Sequence, residues 1–558
     1  MKRHFSIIAF PFLLLLATSL LGSSGLNRDR TIDVLDYGIS IQFERSERTV
    51  FGDTVVTFKS LRDNLQDLEL DSVGIRYNAV TLGDSEISLP YRLTPNKIVI
   101  RLPKALKKGE ELSVRLRYST TQPKLGVYFV ERGSFFFDGL QREHSAQIWT
   151  QGQPEEARHW IPSYDFPDDK ATTSISIRTL GSETAISNGR YVGATPNIDG
   201  TVTHAFRMDQ PYPTYLISFV VGEFSRYDFA YRDIPLSIFR YPDAPNAGQK
   251  VFDKTPDMLR TFERLLGVSY PFNKYDQVIV SKFVAGGMEN MTATTLSDEA
   301  IHKSLTPAGA FAAEDLIAHE VAHSWFGNLV TTRNWAELWL NEGFATFLEA
   351  AYREQMYGPA QYRFKIETDA AAYMLAEKRM KNKRGLFNRR ARGDDSIFDQ
   401  VTYQKGGVVI HMLRRTVGED NFWKALNLFL NNHRFGNVET KDLRKAFEDV
   451  SGRDLGWFFD QWVYGSGYPV LTLSQTRRIE DNRLALTFAQ RKANNPLQPD
   501  TFRIRFKVRT VNQDGSHEDH EIYLRRRFES VSIKTKNNFK EIIIDPEYDV
   551  PLMEFTKR

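Results

Sequence analysis

Apolar and polar residues alternate through much of the first two hundred positions. In Glu111–Tyr118, Leu112, Val114, Leu116 and Tyr118 fall on one face and charged or polar residues on the other. A period of two is that of a half-buried strand. Thr54–Phe58 and Ile98–Leu102 repeat the pattern, with Pro, Gly, Asn and Asp between segments. Residues 31–225 are therefore predicted to be mostly β, a large antiparallel domain. After about Arg226 the character changes, and from Gln249 the apolar spacing is helical. Helices are predicted over 249–266, 311–330, 335–357, 359–378 and 403–417, with Gly358-Pro359 separating two of them. Lys378–Arg392 is a short, isolated basic run and reads as a solvated loop. Strands return after Gly465–Pro469. There Phe502, Ile504, Phe506 and Val508 alternate with Arg503, Arg505 and Lys507, and Asp514-Gly515 supplies a hairpin turn. The 558 residues exceed what one core organises. The expected fold is multidomain α+β: a β domain over 26–225, a mainly α domain over 226–468 and a small β sandwich over 469–558.

The first 25 residues stand apart. Lys2 and Arg3 precede an apolar run from Phe5 to Leu21, and Gly22, Ser23, Ser24 and Gly25 follow. This is the layout of a signal peptide, and the run is short for a spanning helix and contains Pro11. A secreted, periplasmic or extracellular protein is expected, membrane-anchored if the segment is retained. Lys+Arg 73 against Asp+Glu 70 gives no reason to expect nucleic acid as a partner. The chain has no cysteine, so any metal must be held by His and carboxylate.

His319-Glu-Val-Ala-His323 supplies such ligands. Two histidines four apart on a helix share a face, one turn apart, and can reach one ion. Zinc accepts imidazole nitrogen and carboxylate oxygen and, when catalytic, keeps one position for water. Glu320 is offset by one residue, so it faces that water as a general base. A third ligand is needed, and Glu342 in Trp339-Leu-Asn-Glu-Gly-Phe-Ala345 follows His323 after eighteen residues. That length lets one helix end, the chain loop through Asn334, and a second helix return antiparallel. Gly343 beside it would allow close helix approach.

Gly286-Gly-Met-Glu-Asn290 lies about thirty residues before the zinc helix, after the β-rich stretch Gln277–Val280. With His319, His323 and Glu342 it resembles the aminopeptidase N and leukotriene epoxide hydrolase family of zinc peptidases, in a short, bacterial-type form of this gluzincin group. Trp149–Arg158 with Pro162, Asp165 and Lys170, Thr402–Gly407, and Gly467–Leu471 resemble further family segments in the same order. The resemblance implies a thermolysin-like catalytic domain, one zinc ion, and peptide substrates with a free N-terminus. It implies that Gly286, Gly287, Met288, Glu289 and Asn290 bind substrate, with Glu289 on the α-amino group and the Gly286 and Gly287 backbone along the substrate like an added strand. It also implies that Tyr403 donates its hydroxyl to the oxyanion, and that Gln151 and Gln153 line the pocket for the amine and first side chain. Many members carry glutamate where this chain has Gln153, which weakens the charge clamp. Many continue into a long helical domain, so the expected site is more open here or covered by a second subunit. A zinc endopeptidase, a lipid epoxide hydrolase and an inactive peptide-binding protein are the competing readings. Glu289 argues against the first, and the presence of Glu320, Tyr403 and all three ligands argues against the last.

Overall fold

The computed structural model describes residues 26–557 apart from 138–139, 243–248, 305–308, 480–482, 493–494 and 536–538. The predicted signal segment, 1–25, lies outside the described residues. The N-terminal region is built on a seven-stranded sheet whose spatial order is Arg190–Pro196, Thr201–Tyr212, Ala171–Leu180, Ile32–Glu44, Thr49–Ser60, Glu111–Thr121 and Arg76–Leu82. Ile32–Glu44 runs parallel to Ala171–Leu180 and antiparallel to Thr49–Ser60. In Glu111–Thr121, Val114, Leu116 and Tyr118 are buried and the residues between them more exposed, which is the predicted alternation. A four-stranded sheet of Thr184–Ser187, Phe219–Gly222, Gln147–Thr150 and Val127–Val130 adjoins it. Gln147–Thr150 is an inner strand, buried throughout, and its end delivers Gln151 and Gln153.

The middle region does not begin with helices. Ser225–Tyr231 and Ile234–Arg240 open a five-stranded sheet that continues through Tyr275–Val280 and Ala293–Ser297 and ends on the short edge strand Gly287–Met288. Tyr275–Val280 is parallel to both neighbours and buried at every residue. Such a strand carries no alternation to read.

Helices α1 (Gln249–Phe252) and α2 (Thr255–Leu266) replace the single helix predicted over 249–266. Pro256 in the first turn of α2 explains the break, because proline has no N–H to donate to the Phe252 carbonyl and suits a helix start. Then follow α3 (Asp298–Ser304), α4 (Ala310–Ala322), α5 (Trp339–Tyr357), α6 (Pro359–Arg379) and α7 (Gly406–Val417). Helix α5 is the centre: it is buried continuously from Trp339 to Arg353 and packs against α4, α6 and α7.

The segment 378–392 is less solvated than predicted. Leu386 and Ala391 are buried, and Arg384 donates to the Asp399 carboxylate and to Thr402 Oγ1. After Gly465–Pro469 the chain forms a four-stranded sheet of Phe528–Lys534, Arg483–Gln490, Val470–Ile479 and Glu554–Lys557, facing a three-stranded one of His517–Leu524, Ile504–Asn512 and Phe539–Ile544. Phe488 from one sheet and Phe506 from the other meet edge to face at 5.9 Å. Among the described residues no helix is long and apolar enough to cross a membrane.

Candidate active site

Helix α4 carries His319 and Glu320 in its last turn and ends on His323. It is about two turns shorter than the predicted 311–330. Gly327, at φ +128°, turns the chain, and Asn328, Leu329 and Val330 fold back to donate to the carbonyls of His323, Ser324 and Trp325. The early end is useful: His323 Nδ1 donates to the Phe326 carbonyl at 2.8 Å. A carbonyl only accepts, so in the neutral imidazole the lone pair is on Nε2, which faces inward.

Helix α5 returns antiparallel to α4. Arg353 pairs with Asp315 at 2.6 Å, His319 meets Glu349, and His323 meets Glu342, one rung after another. His319 Nδ1 donates to Glu349 Oε1 at 2.7 Å, so its Nε2 also faces inward. The two Nε2 atoms lie 3.3 and 3.4 Å from Glu342 Oε2. Ligand atoms of His319, His323 and Glu342 all fall within 4.8 Å of one another. Behind them Lys365 bridges Glu349 Oε2 at 2.9 Å and Asp369 at 2.7 Å.

Glu320 and Glu289 form a second acidic group with His323, again with ligand atoms within 4.8 Å. Both carboxylates are nearly inaccessible, and Glu320 Oε2 and Glu289 Oε1 have no hydrogen-bond partner among the described residues. The Glu320 carboxylate lies against the backbone of Gly287, on the edge strand. Asn328 Nδ2 donates to the Glu289 carbonyl at 3.0 Å and holds that strand to the turn after α4. Met288 is buried, and Asn290 Nδ2 donates to Thr295 Oγ1 at 3.0 Å. These two residues shape the strand. Gly286 stands at the exposed start of it.

Gln151 and Gln153 are buried, and Gln151 Oε1 and Gln153 Nε2 are without partners among the described residues. The strand before them is fastened to the one leading to Gly286. Trp149 Nε1 donates to the Ser281 carbonyl at 3.2 Å, and Ser281 N donates to Gln147 Oε1 at 2.9 Å.

Tyr403 sits in a single π turn, Val401–Lys405, and its ring stacks on His319 at 6.0 Å. What brings the turn so close is a glycine pair. A Cβ on Gly406 would lie 2.8 Å from Gly343 Cα, and one on Gly343 would lie 3.0 Å from Gly406 Cα. Only bare backbone permits that approach next to Glu342.

The electrostatics of the site call for a cation. Burial, first, pushes the Glu320 carboxyl up to about 8, against the pull of His319 and His323. Burial and then Glu342 hold Glu289 above its ordinary value, against His323. Burial opposes charge on His319, but its bonds to Glu342 and Glu349 outweigh it and raise the imidazole well above 6.5. Burial also acts on Tyr403, and with Glu342, Glu289 and Glu320 it keeps the phenol protonated as a donor. Three buried carboxylates face two imidazoles, and the set attracts protons or a divalent ion. Two inward imidazole nitrogens, a carboxylate and two orphaned carboxylate oxygens are a donor set that suits zinc.

Glu349, Lys365 and Asp369 were not singled out from the sequence. The signal existed for Glu349: it lies two turns after Glu342, a charged residue in a helix otherwise buried on every face. Tyr215 was missed too. Its hydroxyl donates to the Gly327 carbonyl at 3.4 Å and accepts from Asn341 at 3.3 Å, which joins the N-terminal region to both ends of the α4–α5 connection.

Comparison with known proteins agrees with this geometry. The peptidase M1 N-terminal domain matches residues 34–216, and the peptidase family M1 domain matches residues 251–462. Mitochondrial aminopeptidase 2 of Saccharomyces cerevisiae is 29% identical over 72% of this chain and 42% of its own length. Aminopeptidase N of Streptomyces lividans is 32% identical over 60% of this chain and 40% of its own, and bovine glutamyl aminopeptidase 30% over 60% and 36%. The chain spans about half the length of the curated relatives it matches. The N-terminal-domain match precedes the peptidase-domain match, which encloses His319, His323, Glu342 and the Tyr403 turn; the chain belongs to peptidase family M1.

Proposed function

We propose that this chain is a zinc-dependent aminopeptidase that removes single residues from peptide N-termini. The observation that carries the reading is the Glu289 carboxylate. It is buried beside the edge strand, its Oε1 has no hydrogen-bond partner among the described residues, and it is grouped with Glu320 and His323. A fixed carboxylate there accepts a free α-ammonium group and, by its position at the end of the strand, excludes internal peptide segments. His319, His323 and Glu342 would hold the metal. Bound zinc would acidify a water and polarise the scissile carbonyl. Glu320 takes the proton of the attacking water and passes it to the leaving amine. Tyr403 donates its O–H to the oxygen that gains negative charge. The open edge of Gly287–Met288 pairs with the substrate backbone as an added strand, and Gln151 and Gln153 receive the amine and first side chain.

We assign the catalytic machinery to residues 226–468, between a β domain of 26–225 and a β sandwich of 469–558. The basic start and apolar run of residues 2–21 support export to a periplasmic or extracellular location. A panel of aminoacyl chromogenic amides, with a chelator and then with zinc restored, tests the function. Chelator-sensitive cleavage restored by zinc is expected, and N-acetylation of the substrate abolishes it. Efficient cleavage of acetylated peptides would remove Glu289 from its role and point to an endopeptidase.

A further inference from the structure

Lys405 is a buried cation that the proposed reaction does not use. It is wholly inaccessible, and its Nζ donates to the Gly465 carbonyl at 2.8 Å. The ammonium lies 5.6 Å from the centre of the Tyr373 ring. Among the described residues no carboxylate comes within ion-pair distance. The nearest candidates are engaged: Glu377 accepts from Lys383 and Tyr373, and Asp399 from Arg384. A lysine so placed is costly, and burial pulls it down to about 7.

Its position gives the cost a purpose. Lys405 closes the π turn Val401–Lys405, and Gly465 caps a second π turn, Asp460–Tyr464. The lysine therefore bolts one irregular turn to the other. Single π turns are rare and recur at functional sites, where they present a side chain that regular helix would not. The segment Arg384–Phe387 braces both. Arg384 holds Asp399 and Thr402, a Cβ on Gly385 would lie 2.5 Å from the Val463 carbonyl, and Phe387 N donates to that carbonyl. On the other side the turn bears on Gly343 through Gly406. Tyr403 is thus pinned between α5 and the junction that leads into the C-terminal sandwich.

We propose that Lys405 is a positioning residue for Tyr403: its bond to Gly465 sets the depth at which the phenol hydroxyl stands over the reacting carbonyl. This rests on the catalytic reading of Tyr403. The lysine does not touch substrate, and its contribution appears in turnover and not in stability. An apolar side chain of similar length removes a desolvated charge, which offsets the loss of the donor to the Gly465 carbonyl, so the fold is kept.

The test is a double-mutant cycle with Lys405→Met and Tyr403→Phe in the zinc-loaded full chain. Lys405→Met should lower kcat about tenfold or more, with KM within about twofold, and leave the melting temperature unchanged or higher. In the Tyr403→Phe background the same change should cost less than about threefold, because the group it positions is gone. Equal losses in both backgrounds would overturn the proposal, as would unchanged kcat in Lys405→Met alone. If Tyr403→Phe itself leaves kcat unchanged, the catalytic reading of the tyrosine fails and the positioning role falls with it. A melting temperature about 10 °C lower for both Lys405→Met and Lys405→Gln would show a purely structural lysine.

Discussion

His319, His323 and Glu342 stand on two long antiparallel helices, whereas Tyr403, on the same cleft, stands on one π turn. The helical wall is ordered by its own backbone. A spacing of four brings the histidines together, and the antiparallel return brings Glu342 to them. The tyrosine wall is ordered by groups from outside the turn: the Arg384 and Asp399 side chains, the Gly465 carbonyl and the bare backbone of Gly343. Residues held by helix geometry depend on few neighbours. Residues held by tethers depend on many, and small changes far along the chain reach them.

The largest effect should come from the helical wall at the proton-transfer step. Glu320→Gln keeps the size of the side chain and removes its basicity. We expect kcat to fall about a thousandfold, about 4 kcal/mol in barrier, with zinc content and melting unchanged. Near-normal turnover in a zinc-loaded variant would remove Glu320 as the base.

A smaller effect tests whether that wall is self-sufficient. Glu349 orients His319 through its Nδ1, at 2.7 Å, and is itself held by Lys365. Glu349→Gln should weaken zinc binding about 10–100-fold, read by competition with a chromogenic chelator. At saturating zinc, kcat should recover most of its value. Unchanged metal affinity would mean that the helix alone fixes the imidazole.

The same contrast decides what could be read from the sequence. His319, Glu320, His323 and Glu342 were legible because each follows from a helical period or a chain length. The sandwich was legible because Phe502, Ile504, Phe506 and Val508 alternate and are all buried. Gln277–Val280 was legible as β-rich, but a strand buried at every residue shows no period that would place it in a sheet, and the alternation of Tyr227, Phe229 and Tyr231 was passed over. The end of α4 at Ala322 was overrun because Gly327 lies five residues beyond it and Trp325 and Phe326 carry the apolar spacing on toward it. Tyr403 carried no local physical signal; family resemblance alone pointed to it. Arg384 read as one member of the basic run 378–392 and Lys405 only as a neighbour of Tyr403, since their partners are contributed by chain 18 and 60 residues away.

The finest test compares the two glycines where the walls touch. Gly343 belongs to the helical wall, next to Glu342, and Gly406 to the tyrosine wall. Alanine at either would force backbone apart, since the new Cβ would meet the opposing Cα at 3.0 or 2.8 Å. Such overpacking costs about 1–3 kcal/mol of stability, and both variants should melt lower by a similar amount. Their chemistry should differ. Gly406→Ala moves the Tyr403 turn and leaves α4 and α5 in register, so kcat should drop a few-fold with zinc affinity intact. Gly343→Ala shifts the turn of α5 that carries Glu342, so zinc affinity should drop as well. Equal loss of zinc affinity in both would show that the two walls move as one body, and that the distinction between a helix-built and a tether-built side does not hold.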